Sequence, residues 1–203
     1  MLASGHLPAP FLDGLLHTVW PGRADVVKDV EPGLTFFLDG AHTGESAASC
    51  AEWFADATAA HSEPHDNVFL FNCLKEREPK RLLAPFVRVF AGRGVALSHA
   101  LFVPVDAVET GAKGVVDLVW QESLKHQWKE LTSPPRQIGD LNGTRINRPC
   151  AAIVLPSTTS ALDWLRRTTR ETRPRGVHVL VTGSLYLVGD ILSKLKKLGC
   201  DGL

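Results

Sequence analysis

Five short apolar runs, separated by longer segments with the spacing of helices, restrict the fold of this chain more than any other feature. The runs lie at 34–39, 67–73, 96–105, 151–156 and 176–184. Their apolar residues are consecutive, as in strands that are buried on both faces of a sheet. Because such strands form parallel sheets when they alternate with helices, the sequence predicts an α/β fold. We expect a mostly parallel sheet with helices on both faces.

The segments between the runs predict helices. They lie at 8–19, 44–60, 79–90, 115–132, 157–171 and 185–198. Ser46 or Thr43 is the expected N-cap of the second helix, because such side chains accept hydrogen bonds from the first N–H groups of a helix. Ser157 or Thr158 is expected near the N-cap of the fifth. Pro85 falls inside the third helix, where we expect it to distort the backbone.

Charge and hydropathy exclude several classes of function. Lys and Arg together number 22, as do Asp and Glu, so the net charge is zero. That balance gives no electrostatic case for binding nucleic acid or an anionic membrane. No apolar run approaches the roughly 20 residues of a membrane span, and the first residues lack the pattern of a signal peptide. We therefore expect a cytoplasmic protein, or one from another reducing compartment.

No metal site is predicted from the cysteines and histidines. The four cysteines are widely spaced, without the paired spacing of a zinc or redox site. His61 and His65 are four residues apart, but Pro64 lies between them. Cys50 and Cys73, which lie among apolar residues, are therefore interpreted as small core residues, and the protein as one of a reducing compartment.

A carboxylate, a glycine and an imidazole directly follow the first apolar run, in the stretch FFLDGAHTGES at 36–46. Ligands of parallel α/β sheets bind beyond the carboxyl ends of the strands. Gly40 allows close approach of the backbone, and the N-terminus of the next helix favours an anion. Asp39, Gly40 and His42 are therefore candidate binding residues. Capping of the next helix is the alternative role of Asp39.

Glycine-rich pieces elsewhere do not predict a phosphate-binding loop. GAKG at 111–114 and AGRG at 91–94 lack the GxxxxGK[ST] spacing, so both are interpreted as turns. Residues 106–114 and 132–150 are expected to be surface loops.

Four stretches resemble the C-terminal domain of folylpolyglutamate synthase, a member of the Mur ligase superfamily. They are WPGR at 20–23, FFLDGAHTGESAASCAEWF at 36–54, LFNC at 70–73 and HVLVTGSLYLVGDIL at 178–192. The resemblance implies a Rossmann-like Mur ligase C-terminal domain over 23–203. It also implies that 1–22 is the last helix of an N-terminal ATPase domain plus a linker, with the rest of that domain absent from the chain.

The first predicted helix carries Phe11, Leu12, Leu15 and Leu16 at helical spacing. On the resemblance, this apolar face packs on the absent domain. We therefore expect these side chains to be partly exposed in a monomer or covered in a dimer.

Enzymes of this family use ATP to ligate L-glutamate to a tetrahydrofolate polyglutamate through an acyl phosphate. The resemblance implies ATP and Mg²⁺ as cofactors, with the phosphate and metal ligands on a separate or upstream ATPase domain. Because the chain shows no P-loop, we expect it to be inactive in isolation. A non-catalytic remnant or interaction module is the alternative. The family occurs in the cytosol and in mitochondria, so a mitochondrial location is open beside the cytoplasmic one.

At four positions the resemblance implies a role in the site. Arg23 would contact ATP, and Asp39 would contact the ribose hydroxyls or the adenine end of the nucleotide. His42, the candidate catalytic residue, would bind the glutamate carboxylate or the acyl phosphate as a donor. Ser184 would hydrogen-bond the incoming glutamate. From the residues alone, a solvated linker side chain, a structural histidine and a helix N-cap remain the alternatives for Arg23, His42 and Ser184.

Overall fold

A computed structural model of the protein describes residues 7–18, 20–105, 117–133 and 150–199. The predicted alternation of strands and helices is confirmed. In chain order the elements are α1 (Ala9–Leu16), β1 (Asp25–Lys28), β2 (Leu34–Asp39), α2 (Gly44–Ala59), β3 (His65–Phe71), α3 (Pro79–Arg93), β4 (Leu97–Phe102), α4 (Val119–Thr132), β5 (Ala151–Val154), α5 (Thr158–Thr172), β6 (Gly176–Thr182) and α6 (Leu185–Lys197). The loops predicted at 106–114 and 132–150, with GAKG at 111–114, lie wholly or largely outside the described residues.

Within the described part of the chain, six strands form one sheet in the order β1-β2-β6-β3-β4-β5. β1 is antiparallel to β2, and the other neighbours are parallel. The five predicted strands are present, but β1 was not predicted. It has four residues at the sheet edge and buries only Val27 fully, so it lacks the consecutive apolar run of the inner strands.

The register brings the ends of the central strands to one edge of the sheet. Asp39, the last residue of β2, pairs with Thr182 of β6, and Thr182 pairs with Phe71 of β3. The chain therefore leaves all three strands side by side, and the segments that follow them meet. We call this side of the sheet the carboxyl edge.

Each face of the sheet has its own core. The consecutive residues Phe36 and Phe37 point to opposite faces of the sheet, and both are fully buried. Phe36 joins a core formed with α5 and α6, whereas Phe37 joins one formed with α2, α3 and α4. The prediction of helices on both faces is thus confirmed.

α3 continues through Pro85 and ends at Gly94, whose φ of 68° forms a left-handed C-cap. The proline removes the hydrogen bond that residue 85 would donate to the Arg81 carbonyl. Burial of the apolar side chains of α3 against the sheet holds the helix together there. AGRG at 91–94 is therefore the last part of the helix with its C-cap, so the prediction of a turn is wrong for residues 91–93 and holds only at Gly94.

α1 leaves an apolar face uncovered in the described structure. Phe11, Leu12 and Leu15 are 66%, 46% and 65% exposed. Trp20, which follows the helix, is 70% exposed. The side chain of Leu16 lies outside the described residues. The large exposed apolar area makes α1 unlike the other helices, each of which packs on the sheet or on a neighbour.

Candidate functional site

A cavity of about 170 Å³ opens at the carboxyl edge. His42 from the β2–α2 loop, Leu74 and Arg77 from the β3–α3 loop, and residues 183–186 at the start of α6 line it. The structure thus brings together His42 and Ser184, two of the four residues predicted for the site. It also adds a cation that the sequence analysis did not single out.

The ring of His42 is held by its own loop. Its Nδ1 atom lies 2.9 Å from the carbonyl oxygen of Gly40, so Nδ1 carries the hydrogen and donates it. The other ring nitrogen, Nε2, is then an acceptor in the neutral imidazole. The backbone N–H groups of His42 and Thr43 both donate to the Ser46 hydroxyl, at 3.1 and 3.0 Å. This loop is fixed before any ligand arrives.

Thr43 is the N-cap of α2, and it forms a capping box with Ser46. Its hydroxyl accepts from the Ser46 N–H at 3.2 Å, and the Ser46 hydroxyl accepts from the Thr43 N–H. The alternative in which Asp39 caps this helix is therefore wrong, because the cap lies four residues later.

Ser184 is the N-cap of α6 and is only 4% exposed. Its Oγ accepts a hydrogen bond from the Tyr186 N–H at 3.1 Å. This is the structural role that the sequence left open. The same residue also borders the cavity, and its hydroxyl hydrogen is not used in the Tyr186 bond.

Two glycines let the loops of the carboxyl edge pack on each other. Gly183 has a φ of 98°, and a Cβ there would lie 2.4 Å from the Phe71 ring and 2.5 Å from the Asn72 carbonyl oxygen. A Cβ on Gly40 would lie 2.2 Å from the Leu185 side chain. At Gly183 the positive φ and the contact with the Asn72 backbone mean that only glycine fits. At Gly40 a Cβ would require the Leu185 side chain, which is 49% exposed, to move.

Arg77 is the cation of the cavity. It follows β3 in a turn whose backbone is closed by a 3.0 Å hydrogen bond from the Arg77 N–H to the Leu74 carbonyl. The side chain is exposed, and no described carboxylate pairs with it. In the sequence, Arg77 lies in the charged stretch 75–80, which follows the second apolar run. Its position after a central parallel strand is the signal that points to a ligand role.

Helix α4 is hydrogen-bonded to residues 72 and 73, where the β3–α3 loop that carries Arg77 begins. The indole N–H of Trp120 donates to the Cys73 carbonyl at 2.7 Å. Gln121 is 4% exposed and donates to the Asn72 side chain at 3.4 Å. These bonds fix the first residues after β3, so the turn that carries Arg77 starts from a set position.

Arg23 and Asp39, the two residues predicted to contact the nucleotide, lie together at the β2 end of the carboxyl edge. The Asp39 Oδ2 atom accepts a hydrogen bond from the Ala24 N–H at 3.0 Å. The Arg23 side chain is half-buried, and the backbone N–H of this residue donates to the Trp20 carbonyl at 3.0 Å. Neither residue lines the cavity, so the four predicted residues form two neighbouring pairs.

A family model described as "Dihydrofolate synthetase, C-terminal domain" matches residues 23–194. The chain belongs to this family. The resemblance seen in the sequence is thereby confirmed, and the matched range contains Arg23, Asp39 and every residue that lines the cavity.

Curated relatives of this family member are named folylpolyglutamate synthase. One from Arabidopsis thaliana is 32% identical over 94% of this chain and 39% of its own length. The mitochondrial enzyme of Homo sapiens is 29% identical over 90% of this chain and 39% of its own length. The chain thus spans about two fifths of the length of the curated relatives it matches.

Solved structures show the same fold. Mycobacterium tuberculosis folylpolyglutamate synthase, complexed with ADP and AMPPCP, has a TM-score of 0.58 at 16% identity, over 94% of this chain and 36% of that one. The bifunctional folylpolyglutamate synthase/dihydrofolate synthase of Yersinia pestis, complexed with AMPPNP and Mn, has a TM-score of 0.57 at 17% identity, over 96% and 37%.

The thiols near the site of this dihydrofolate synthetase-type domain are protonated. Burial raises the pKa of Cys50, the charge of Asp39 adds to the effect, and a hydrogen bond with Thr182 partly offsets it. Burial also raises the pKa of Cys73 to about 12. Neither thiol has the thiolate character of a nucleophile.

The described residues carry neither a membrane span nor a metal cluster. None of their helices is long and apolar enough to cross a bilayer. No group of three or more His, Cys, Asp and Glu side chains among them has the arrangement to hold a metal ion.

Proposed function

We propose that this chain is the C-terminal part of an ATP-dependent ligase that joins L-glutamate to a tetrahydrofolate polyglutamate, in the cytoplasm or the mitochondrion. The cavity holds the incoming amino acid, and Arg23, at the β2 end of the carboxyl edge, contacts the nucleotide. The observation that carries the proposal is the meeting of Arg77, His42 and Ser184 around one small cavity in a member of this family.

The size and charge of the cavity favour an amino acid. Its volume of about 170 Å³ is smaller than the roughly 300–1,000 Å³ of pockets for drug-sized ligands, so a nucleotide or a folate does not fit inside. Arg77 offers a planar guanidinium that binds a carboxylate through two parallel hydrogen bonds. The Ser184 hydroxyl donates a further bond. A dicarboxylic amino acid matches this set of donors.

His42 is assigned as the proton acceptor for the attacking amine. An amino acid in water carries an ammonium group, which has no lone pair and cannot attack. The Nδ1–H bond to Gly40 leaves Nε2 as the acceptor of a residue that lines the cavity, so Nε2 takes the proton. This differs from the donor role inferred from the family resemblance.

ATP supplies the activated carbonyl. Transfer of its γ-phosphoryl group to the folate γ-carboxylate gives an acyl phosphate and ADP. The amine nitrogen then forms a bond to the carbonyl carbon, and the bond from that carbon to the phosphate oxygen breaks, releasing phosphate. Arg23, half-buried and without a described carboxylate partner, binds a phosphate oxygen of the nucleotide.

The remaining machinery is proposed to lie on a partner ATPase domain. The described residues provide no metal cluster, and the sequence has no P-loop. We propose that Mg²⁺ and the terminal phosphates are held by that domain, upstream or on a separate chain. The exposed face of Phe11, Leu12 and Leu15 would then pack on it, with residues 1–22 as its last helix and linker.

The experiment is a ligation assay of the protein together with its ATPase domain, supplied from the full-length gene or by fusion to that of a folylpolyglutamate synthase. ADP release should require ATP, tetrahydrofolate and L-glutamate together, and the isolated 203-residue chain should release none. ADP release that is indifferent to glutamate would contradict the proposal. No turnover from a folded, complete protein would favour a non-catalytic interaction module.

A further inference from the structure

Residues 20–25, which we call the linker segment, are tied to the carboxyl edge by hydrogen bonds along their backbone. Ala24 donates to Asp39 Oδ2 at 3.0 Å, and Gly22 donates to Asp25 Oδ2 at 3.0 Å. The Gly22 carbonyl accepts from the Gly40 N–H at 3.2 Å. The linker segment is therefore held at successive residues and is not a free tether.

Ala24 is strained in this arrangement. Its φ is 46°, and among the described residues it is the one residue other than glycine with a positive φ. At a positive φ the Cβ of a non-glycine residue crowds its own backbone, which raises the energy of the conformation. Such residues persist where their surroundings over-determine them. The carboxylate of Asp39, fifteen residues away in sequence, supplies this constraint through the Ala24 N–H.

Arg23 sits between two fixed neighbours. Gly22, on one side, has a φ of 76° and lies so close to α6 that a Cβ there would be 2.6 Å from Val188 Cγ1. Ala24, on the other side, is held by Asp39. Because the backbone is set on both sides, the direction in which the Arg23 side chain leaves the linker segment is set as well.

We propose that Asp39 is a positioning residue, which holds Ala24 in the left-handed conformation and thereby aims the Arg23 guanidinium at a nucleotide phosphate. The proposal rests on the proposed function, in which Arg23 contacts the nucleotide. This role is additional to the nucleotide contact predicted from the family resemblance. Asp39 acts here through the main chain, because its Oδ2 atom accepts from the Ala24 N–H, and its Oδ1 atom is left for a ligand hydroxyl.

Glycine offers a direct test, because it adopts a positive φ without the crowding that alanine suffers. In the complete enzyme, Asp39→Ala should raise the KM for ATP about tenfold or more, since a misdirected Arg23 loses a charge-assisted bond. Ala24→Gly combined with Asp39→Ala should recover a measurable part of that loss, the part that comes from the Ala24 backbone. Ala24→Gly alone should resemble the wild type. The KM for L-glutamate should stay nearly constant throughout.

Two further variants guard against a trivial loss of folding. Asp39→Asn keeps an oxygen that accepts from Ala24, so it should retain nearly normal KM for ATP. Asp56→Ala removes another carboxylate, one that pairs with Arg93 on the exposed surface, and should leave ATP use unchanged. Thermal unfolding of each variant shows which proteins remain folded at the assay temperature.

The outcomes separate this inference from the proposed function. If the double variant is as impaired as Asp39→Ala in a folded enzyme, the bond to Ala24 does not aim Arg23 and the inference is overturned. A large rise in the KM for ATP in Asp39→Asn would count against it too. If the wild-type complete protein shows no glutamate-dependent turnover, the proposed function fails. The hydrogen bond from Ala24 to Asp39 can still be tested by NMR of the 203-residue chain. The Ala24 amide resonance should shift in Asp39→Ala, and an unchanged resonance would overturn the inference.

Discussion

The Nδ1 atom of His42 lies 2.9 Å from the carbonyl oxygen of Gly40, two residues earlier in the same loop. In the neutral ring this bond places the hydrogen on Nδ1 and leaves Nε2 as an acceptor. The loop is itself closed by the Ser46 hydroxyl. The ring and its loop are therefore held in place by the protein's own hydrogen bonds, as the proposed role of His42 as a proton acceptor requires.

His42→Ala should therefore lower kcat in the complete enzyme by about 10²- to 10⁴-fold, the usual contribution of a general base. The KM for ATP should change little, because the ring lines the amino-acid cavity. His126→Ala is the matched control, since His126 is an exposed histidine on α4. Steady-state kinetics with each substrate varied in turn provide the measurement. An unchanged kcat would remove His42 from the chemistry.

Gly183→Ala should destabilise the chain by about 2–4 kcal/mol, because a methyl group would overpack against Phe71 and the residue would be forced into a left-handed conformation. The clash distances are 2.4 Å to the Phe71 ring and 2.5 Å to the Asn72 carbonyl oxygen. Urea unfolding measures the effect. Gly92→Ala is the control, since a Cβ at this helical glycine meets nothing within 4 Å. It should be neutral or stabilise the chain by about 0.5–1 kcal/mol.

His178 should make the stability of the chain depend on pH. Burial, with His65 and His61 nearby, lowers the pKa of this ring to about 3 in the folded state. In the unfolded chain it titrates near 6.5. Between these values the unfolded state binds a proton that the folded state does not, so stability is full above about pH 6.5 and is lost as the pH falls toward 3.

The measurement is the free energy of unfolding against pH for the wild type and for His178→Leu, which fills the buried site without a titrating group. The slope from this residue is at most about 1.4 kcal/mol per pH unit, and His178→Leu should reduce it. His126→Gln, at an exposed position, should leave the slope nearly as it is. Equal slopes in His178→Leu and the wild type would contradict the assignment.

The fold was predictable from the sequence because its inner strands are buried on both faces. Consecutive apolar residues such as Phe36 and Phe37 then mark a strand without knowledge of its partners. β1, with the sequence DVVK, was not predicted because its two valines lie between charged residues, whereas β5, the equally short strand at the other edge, has four consecutive apolar residues. The place of β1 is set by pairing with β2, which is a long-range contact.

The candidate site was only partly predictable, because part of it is formed by contacts between residues that are far apart in the sequence. His42 and Ser184 follow strands and carry recognisable motifs, so the sequence pointed to them. Arg77 lies in a charged stretch that looks like any solvated loop until the register places it beside them. The Ala24 partner of Asp39 is fifteen residues away, and nothing in local spacing shows it.

The proposed function requires that the cavity at the carboxyl edge binds the incoming glutamate. Arg77 is its cation, so Arg77→Ala in the complete enzyme removes a charge-assisted contact to a carboxylate without touching the cores. Lys75→Ala removes a neighbouring exposed cation that does not line the cavity, and it serves as the control.

The decisive measurement is the KM for L-glutamate in the wild type, Arg77→Ala, Arg77→Lys and Lys75→Ala, at saturating ATP and tetrahydrofolate. We predict a rise of about ten- to a hundredfold for Arg77→Ala, a smaller rise for Arg77→Lys, and no change for Lys75→Ala. The KM for ATP should be the same in all four proteins. An unaltered KM for glutamate in a folded, active Arg77→Ala enzyme would show that the amino acid binds elsewhere.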